Sequence, residues 1–302
     1  MPQNVEYISD AKFVRIVERD DCVQVELASG TKMQFDVLIG ADGYKSTTRK
    51  ALFPAARPES AGYVAWRGNY LESRLKGDAR RAIDFLDTFE AGGWATPVFD
   101  GGHGIIYKIP DPFGDGERVN WVIYTLPPPG SDDFSEARSV PEGSVTEAQH
   151  AHLKKYAEKF PVAYRAIIAA STRKEVSIQP IYDLVVPSYA KGSVALLGDA
   201  GSIVRPHTAS GSSKAMMDAL ALREAATSHK LWRDALDAYS ASRTEVGAKL
   251  VELGKSIGNF QVINSAGWGR FDEAALRRRV KMSMGGQKLF LRQASSSTTT
   301  SK

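Results

Sequence analysis

Apolar residues in this chain alternate with polar ones near its start, gather into two short solid runs, and recur at helical spacing further on. In residues 4–35, FVRIVE and CVQVEL flank the polar turn Arg19-Asp20-Asp21, and Ala28-Ser29-Gly30 leads into TKMQF. That pattern predicts a β-meander. The solid runs, Val37–Ile39 and Val194–Leu197, suit short strands buried in a parallel sheet. Each runs into an acid-bearing turn, Asp42-Gly43 after the first and Gly198-Asp199 after the second. Residues 146–171 read as helical, with Leu153, Tyr156, Ala157 and Phe160 on one face and a break or restart at Pro161. Another helix is predicted from Gly211 to about Thr227, with Ala215, Asp218, Ala219 and Leu222 along one side. The next spans roughly 230–257, with an apolar stripe of Leu231, Ala235, Ala238, Tyr239 and Leu250. Between these regions GYVAWRG, GIIYKIP and VNWVIYTL have strand character, punctuated by Pro110, Pro112 and Pro127-Pro128-Pro129. Pro129–Gly143 reads as a polar, acidic loop, and the polar run after Gln293 as a disordered tail.

Size and composition narrow the class. A chain of 302 residues, 43% hydrophobic and 25% charged, is that of an ordinary globular protein with one large or two smaller domains. The net charge of +4 comes largely from a tail holding Arg277-Arg278-Arg279, Lys281, Lys288 and Arg292. Without interleaved aromatics or a binding motif this reads as a solvated helix end, and no nucleic-acid partner is expected. The single Cys22 excludes an intrachain disulfide and a CxxC metal site, and the five histidines show no HExxH, so no metal is expected. The polar MPQNVEYISD start and the lack of any membrane-length apolar run lead to the expectation of a soluble, cytoplasmic protein with no membrane partner.

The candidate chemistry sits in the two acid-bearing turns. Asp199 falls at the carboxyl end of its strand, where open α/β sheets place ligands. The loop then passes through Pro206 and His207 to Gly211, whose missing Cβ lets backbone approach a ligand. Ser212 and Ser213 open a helix whose free N–H groups suit an anionic or electron-rich ring. Asp42 has two readings, a turn that only reverses the chain, or a carboxylate that accepts hydrogen bonds from backbone or ribose hydroxyls. Ser46 and Arg49 nearby favour the second. Trp66 and Tyr182 are candidate pocket walls or simple core. His207 is either a packed loop residue or a group that relays a proton.

The stretch VALLGDAGSIVRPHTASGSSKAMMDALAL resembles the GD motif of the flavin-dependent aromatic hydroxylases, the family of p-hydroxybenzoate hydroxylase. DVLIGADGYKSTTRK is similar to that family's DG motif, with Asp42, Gly43, Ser46 and Arg49 in place. GYVAWRG, IYDL and RPH resemble the 2,6-dihydroxypyridine hydroxylase subgroup. The resemblance covers most of residues 1–260. It implies an α/β (α+β) fold: an incomplete doubly wound FAD-binding domain, an inserted β-rich substrate domain, and C-terminal helices. The FAD-binding parts are expected at 1–51 and 186–228, the substrate domain at 52–185, C-terminal helices at 229–292, and the tail at 293–302. The implied activity is an FAD- and NAD(P)H-dependent monooxygenase that hydroxylates a hydroxylated aromatic or N-heteroaromatic ring with molecular oxygen. Asp42, Gly43, Arg49, Gly198, Asp199, Pro206, Gly211, Ser212 and Ser213 would hold the cofactor. Trp66, Tyr182 and His207 would face substrate, and His207 would move its proton. A homodimer is also implied. The chain contains no GxGxxG, the element that holds the cofactor pyrophosphate in this family. The expectation is therefore a truncated form that holds FAD weakly or not at all. Its alternatives are a non-catalytic fragment, or the same fold with epoxidase or reductase chemistry.

Overall fold

The structure, a computed structural model, describes residues 4–19, 22–87, 93–99, 101–127, 139–160, 162–265 and 274–275. The described residues form two compact units, one of residues 4–59 and 183–254, the other of residues 60–182 and 255–265. The junctions fall at 59/60 and 182/183, where 51/52 and 185/186 were expected, and the helix before residue 254 lies in the first unit. The basic tail, Pro161 and most of the acidic loop lie outside the described residues.

The first unit opens with β1 (Phe13–Glu18), β2 (Val23–Leu27) and β3 (Lys32–Phe35), which pair antiparallel in chain order as the alternating pattern predicts. Cys22 lies half-buried at the entry to β2. β4 (Leu38–Gly40) then leads into the short helix α1 (Thr47–Leu52).

The second unit is built on β5 (Glu59–Leu71), α2 (Gly77–Leu86), β6 (Trp94–Ala95), β7 (Val98–Phe99), β8 (Gly102–Pro110), β9 (Glu117–Thr125), α3 (Glu147–Ala157), α4 (Val162–Ala169) and β10 (Val176–Val185). Its sheet runs β10-β5-β9-β8-β6, with β7 also on β8. One face carries the core, in which Trp66, Tyr70, Trp121 and Ile106 pack with Ile83 of α2, Leu153 of α3 and Ile167 of α4. Thr146 starts α3 with a capping box shared with Gln149. The predicted helical stretch divides into α3 and α4 around residue 161. α2 is a helix that the reading of this stretch as β-rich did not place. Its Ala79, Ile83 and Leu86 are buried at helical spacing among charged neighbours.

The chain returns to the first unit through β11 (Ala190–Lys191), β12 (Val194–Leu196), β13 (Ser202–Ile203), α5 (Gly211–Ser228) and α6 (Trp232–Gly258). β11, β12 and β4 form a sheet in that order, and β12 and β4 run parallel. Val194, Ala195 and Leu196 are all fully buried, as their solid apolar run requires. On α6 the buried stripe is Ala235, Leu236, Tyr239 and Leu250, whereas Leu231 and Ala238 are exposed. The predicted stripe is thus rotated at its start, because Leu231 precedes the first turn of the helix and Leu236 takes the inward position. Among the described residues no helix is long and apolar enough to cross a membrane.

Gly68 of β5 shows how tightly the second unit's sheet is packed. It faces Trp121 across the strand pair, and a Cβ at residue 68 would lie 2.3 Å from the indole. The ring cannot move aside, being fully buried with its Nε1 donating to Ser171 Oγ at 2.8 Å. Gly68→Ala is expected to destabilise the protein by about 1–3 kcal/mol through overpacking. A urea titration reads this as a lower unfolding midpoint, and an unchanged midpoint would contradict the packing described.

Candidate active site

The parallel pairing of β4 with β12 brings the two acid-bearing turns together. Leu196 lies opposite Gly40, and Leu197 N–H donates to the Gly40 carbonyl at 2.9 Å. Both turns therefore leave the same end of the sheet, the carboxyl ends of the two strands.

Asp42 and Arg49 are engaged within the protein. One Asp42 oxygen accepts from Ser46 Oγ (2.5 Å), the other from the N–H groups of Thr47 (2.7 Å) and Thr48 (3.0 Å) and from Thr48 Oγ1 (3.1 Å). Burial pushes its carboxyl up, but the bonds from Ser46, Thr48 and Thr47 outweigh burial and hold it below its ordinary value. Ser46 Oγ in turn accepts from Arg49 N–H at 2.8 Å and caps α1. The Arg49 side chain is buried and donates to the carbonyls of Tyr44 (2.6 Å), Asp199 (3.1 Å) and Ala200 (3.2 Å). It acts as a strut between the two turns. Burial pulls its guanidinium down from the usual value, opposed by Asp42 and Asp199.

The second turn is gripped from below by a buried ionic network that the sequence reading passed over. Gly198 adopts a left-handed φ of +62° and packs against α5, where Ala215 Cβ lies 3.2 Å from the position of a Cβ. Its N–H donates to Asp218 Oδ2 at 3.0 Å, and its carbonyl accepts from Lys214 Nζ at 2.7 Å. Lys214 and Asp218 are fully buried and pair at 3.1 Å, while Arg243 of α6 donates to the other Asp218 oxygen at 2.7 Å. Burial pulls the Lys214 ammonium down, opposed by Asp218. Its Nζ also lies 5.4 Å above the Tyr189 ring, whose hydroxyl bonds Ser202 Oγ at 2.7 Å. The i, i+4 spacing of Lys214 and Asp218 on a predicted helix was the available signal.

The remaining expected residues fall into two groups. Asp199 is half-buried, and its carboxylate makes no hydrogen bond among the described residues. Gly211, Ser212 and Ser213 form the exposed first turn of α5, which has no side-chain cap. These open groups fit a flavin, since a carboxylate awaits hydroxyl donors and free N–H groups await acceptors. Pro206 and His207 lie in a single helical turn, Pro206–Thr208, where His207 is buried. Arg205 anchors that turn through a buried bidentate pair with Asp183 at 2.6–3.1 Å, joining the RPH and IYDL motifs. In the second unit Trp66 lies wholly in the core and donates from Nε1 to Thr125 Oγ1 at 3.0 Å, and Tyr182 is buried. The acidic trio Glu72, Asp84 and Asp87 is held by Arg80 and Lys108.

Residues 143–253 match the family model described as FAD binding domain. The chain is 29% identical over 251 residues to 2,6-dihydroxypyridine 3-monooxygenase of Paenarthrobacter nicotinovorans, covering 80% of this chain and 61% of the relative. It is 27% identical to 3-hydroxybenzoate 6-hydroxylase 2 of Aquipseudomonas alcaligenes, covering 84% and 72%. The solved 2,6-dihydroxypyridine-3-hydroxylase of Arthrobacter nicotinovorans superposes with a TM-score of 0.73 at 25% identity, covering 83% of this chain and 64% of that one. Klebsiella pneumoniae HpxO, solved with FAD and uric acid, shares the fold at a TM-score of 0.67 and 22% identity. The chain is thus similar in sequence and fold to FAD-dependent aromatic hydroxylases, the likeness that its DG and GD turns imply. It spans 61% of the length of the dihydroxypyridine monooxygenase.

Asp199 supplies a test of the site that needs no ligand. Burial raises its carboxyl above the ordinary 3.8, against the pull of Lys214 and Arg49. A raised folded-state value means that the ionised group opposes folding, and the penalty grows as pH rises from 3.8 through the folded-state value. Asp199→Asn is therefore expected to stabilise the unliganded protein at neutral pH, with the gain fading as pH falls toward 3.8. Thermal melts across that range check it. A variant less stable than the parent at pH 7 would show that Asp199 serves the fold.

Proposed function

We propose that this chain forms the greater part of an FAD-dependent, NAD(P)H-using monooxygenase that hydroxylates a hydroxylated aromatic or N-heteroaromatic ring. The observation that carries this reading is the pair of turns at one end of β4 and β12, with Asp199 and the first turn of α5 left open beside them. Asp199 would accept hydrogen bonds from the ribityl hydroxyls, and the N–H groups of Gly211, Ser212 and Ser213 would meet the electron-rich edge of the flavin. Asp42, Gly43 and Arg49 would shape the neighbouring turn, and Gly198 and Pro206 would set the backbone path past the ring. When bound, the flavin supplies the redox chemistry that joins NAD(P)H oxidation to oxygen insertion. The protein's share is to position the ring, exclude water and manage one proton.

The cofactor assignment is tested by titrating the 302-residue chain with FAD and with riboflavin, following flavin fluorescence. GxGxxG is absent from these residues, so FAD is expected to bind weakly and to gain little over riboflavin. Asp199→Ala should weaken both flavins by about ten- to a hundredfold, the loss of hydrogen bonds to a charged acceptor worth about 1.5–3 kcal/mol. Unchanged affinity would remove Asp199 from the site.

His207 is the proposed proton relay, because a neutral imidazole near neutral pH suits abstraction from a ring hydroxyl. In a chain completed with a GxGxxG unit, His207→Gln should slow hydroxylation by about 10²-fold while flavin reduction by NAD(P)H continues. Stopped-flow measurement of the two half-reactions separates these steps, and an unchanged hydroxylation rate and pH profile would return His207 to the loop.

A further inference from the structure

The ionic network beneath Gly198 holds more positive charge than negative. Lys214 and Arg243 both pair with Asp218, and all three side chains are buried. The Arg243 bond to Asp218 Oδ1 at 2.7 Å already matches one cation to the one carboxylate. Lys214 only shares Oδ2, which also accepts the Gly198 N–H. Among the described residues this leaves the Lys214 ammonium in excess inside the protein. Its other contacts, the Gly198 carbonyl at 2.7 Å and the Tyr189 ring at 5.4 Å, are neutral. A buried cation in that position is costly until an anion balances it.

The balancing anion stands one residue along the turn. Asp199 directly follows the Gly198 carbonyl that Lys214 holds, and it is half-buried. The charged groups around it come from three helices: Arg49 from α1, Lys214 and Asp218 from α5, and Arg243 of α6 behind Asp218. Tyr189 is also near, but burial pushes its phenol up, so it stays neutral. Asp42 is occupied by Ser46, Thr47 and Thr48 of the other turn. Among the charged groups bonded into the two turns, Arg49, Lys214 and Arg243 thus match Asp42, Asp218 and Asp199 only while Asp199 is ionised.

We infer that Lys214 is a positioning residue for the cofactor site, its buried ammonium being the counter-ion that keeps Asp199 ionised as pH falls. This deepens the hydroxylase reading and rests on it for its role. An ionised carboxylate accepts hydrogen bonds on both oxygens, whereas a protonated one gives up part of that capacity to its own hydrogen. Lys214 would therefore preserve the acceptor that ribityl hydroxyls need without touching the flavin. Without the ammonium, Arg49 alone opposes the burial of Asp199, and the carboxyl takes up its proton at higher pH.

Carbon-13 NMR of the Asp199 carboxyl in the full 302-residue chain reads this without any ligand, the signal being assigned by its loss in Asp199→Asn. Lys214→Met and Lys214→Gln should both raise the titration midpoint by about one pH unit or more, as expected for losing a nearby opposite charge. Gln keeps a donor but no charge, and Lys214→Arg should return the midpoint toward that of the parent. A side chain that only supports the fold would lower the urea midpoint and leave the carboxyl titration in place. Asp199→Asn should also raise the urea midpoint more in Lys214→Met than in the parent at pH 7, a difference that disappears once acid protonates Asp199. An unmoved carboxyl in both neutral variants, additive urea midpoints, or failure of both neutral variants to fold would each overturn the role of Lys214.

Riboflavin affinity of the same samples, followed against pH, keeps the two readings apart. It should fall on acidification, and at higher pH in Lys214→Met than in the parent. A carboxyl that moves while riboflavin affinity ignores it would establish the charge coupling and remove Asp199 from the cofactor site. Riboflavin binding that requires Asp199, with a carboxyl unmoved by Lys214→Met, would sink the role of Lys214 alone.

Discussion

The arrangement of the first unit depends on how one peptide is held, that of Gly198. Its N–H and its carbonyl are both bonded by charged side chains from the same helix face, Asp218 and Lys214, and Arg243 secures Asp218 from a second helix. Removing these charges from water is costly, and the cost is met only because every member has a partner. The result is a turn whose left-handed backbone is fixed at the end of a fully buried strand. Asp199 follows directly, so its position is set by buried groups on α5 and α6. A hydrophobic support would leave the Gly198 N–H unpaired and its carbonyl with the Gly201 N–H alone, which explains ions in a place that otherwise looks like core.

The acids and bases around the two turns divide by whether their hydrogen bonds are already made. Asp42 and Arg49 are engaged by α1 and by backbone carbonyls, and they build the site's frame. Asp199 and the first turn of α5 have capacity left over among the described residues. The raised Asp199 carboxyl has the same physical origin, burial of a group whose carboxylate accepts no hydrogen bond among the described residues.

Much of this was legible in the sequence. The solid runs at Val37–Ile39 and Val194–Leu197 became the parallel pair and the alternating segments became the meander, but only Val194–Leu196 is buried as expected: Ile39 of β4, the edge strand of its three-stranded sheet, is 47% exposed. The helix α2 was obscured because its inward residues are only Ala79, Ile83 and Leu86 among Asp and Arg. The stripe on α6 was misplaced by one strong apolar residue, Leu231, that lies ahead of the helix and faces solvent. The roles of Lys214 and Arg243 were hidden for a different reason. A charged residue looks the same in a sequence whether it is solvated, buried against a partner or left waiting for one, and only tertiary burial separates these cases.

The Arg49 strut has a consequence for how the site comes into being. Its bonds to the carbonyls of Asp199 and Ala200 span 150 and 151 residues of chain, and the pairing of β4 with β12 spans a similar distance. Contacts this remote carry a large loop-closure entropy, so they belong late on the folding pathway, after local hairpins and helices have shortened the effective loop. Interactions that form after the transition state chiefly govern how fast the native state comes apart. The two turns are therefore joined last and released first, and the strut sets the lifetime of the assembled site more than the speed of its assembly.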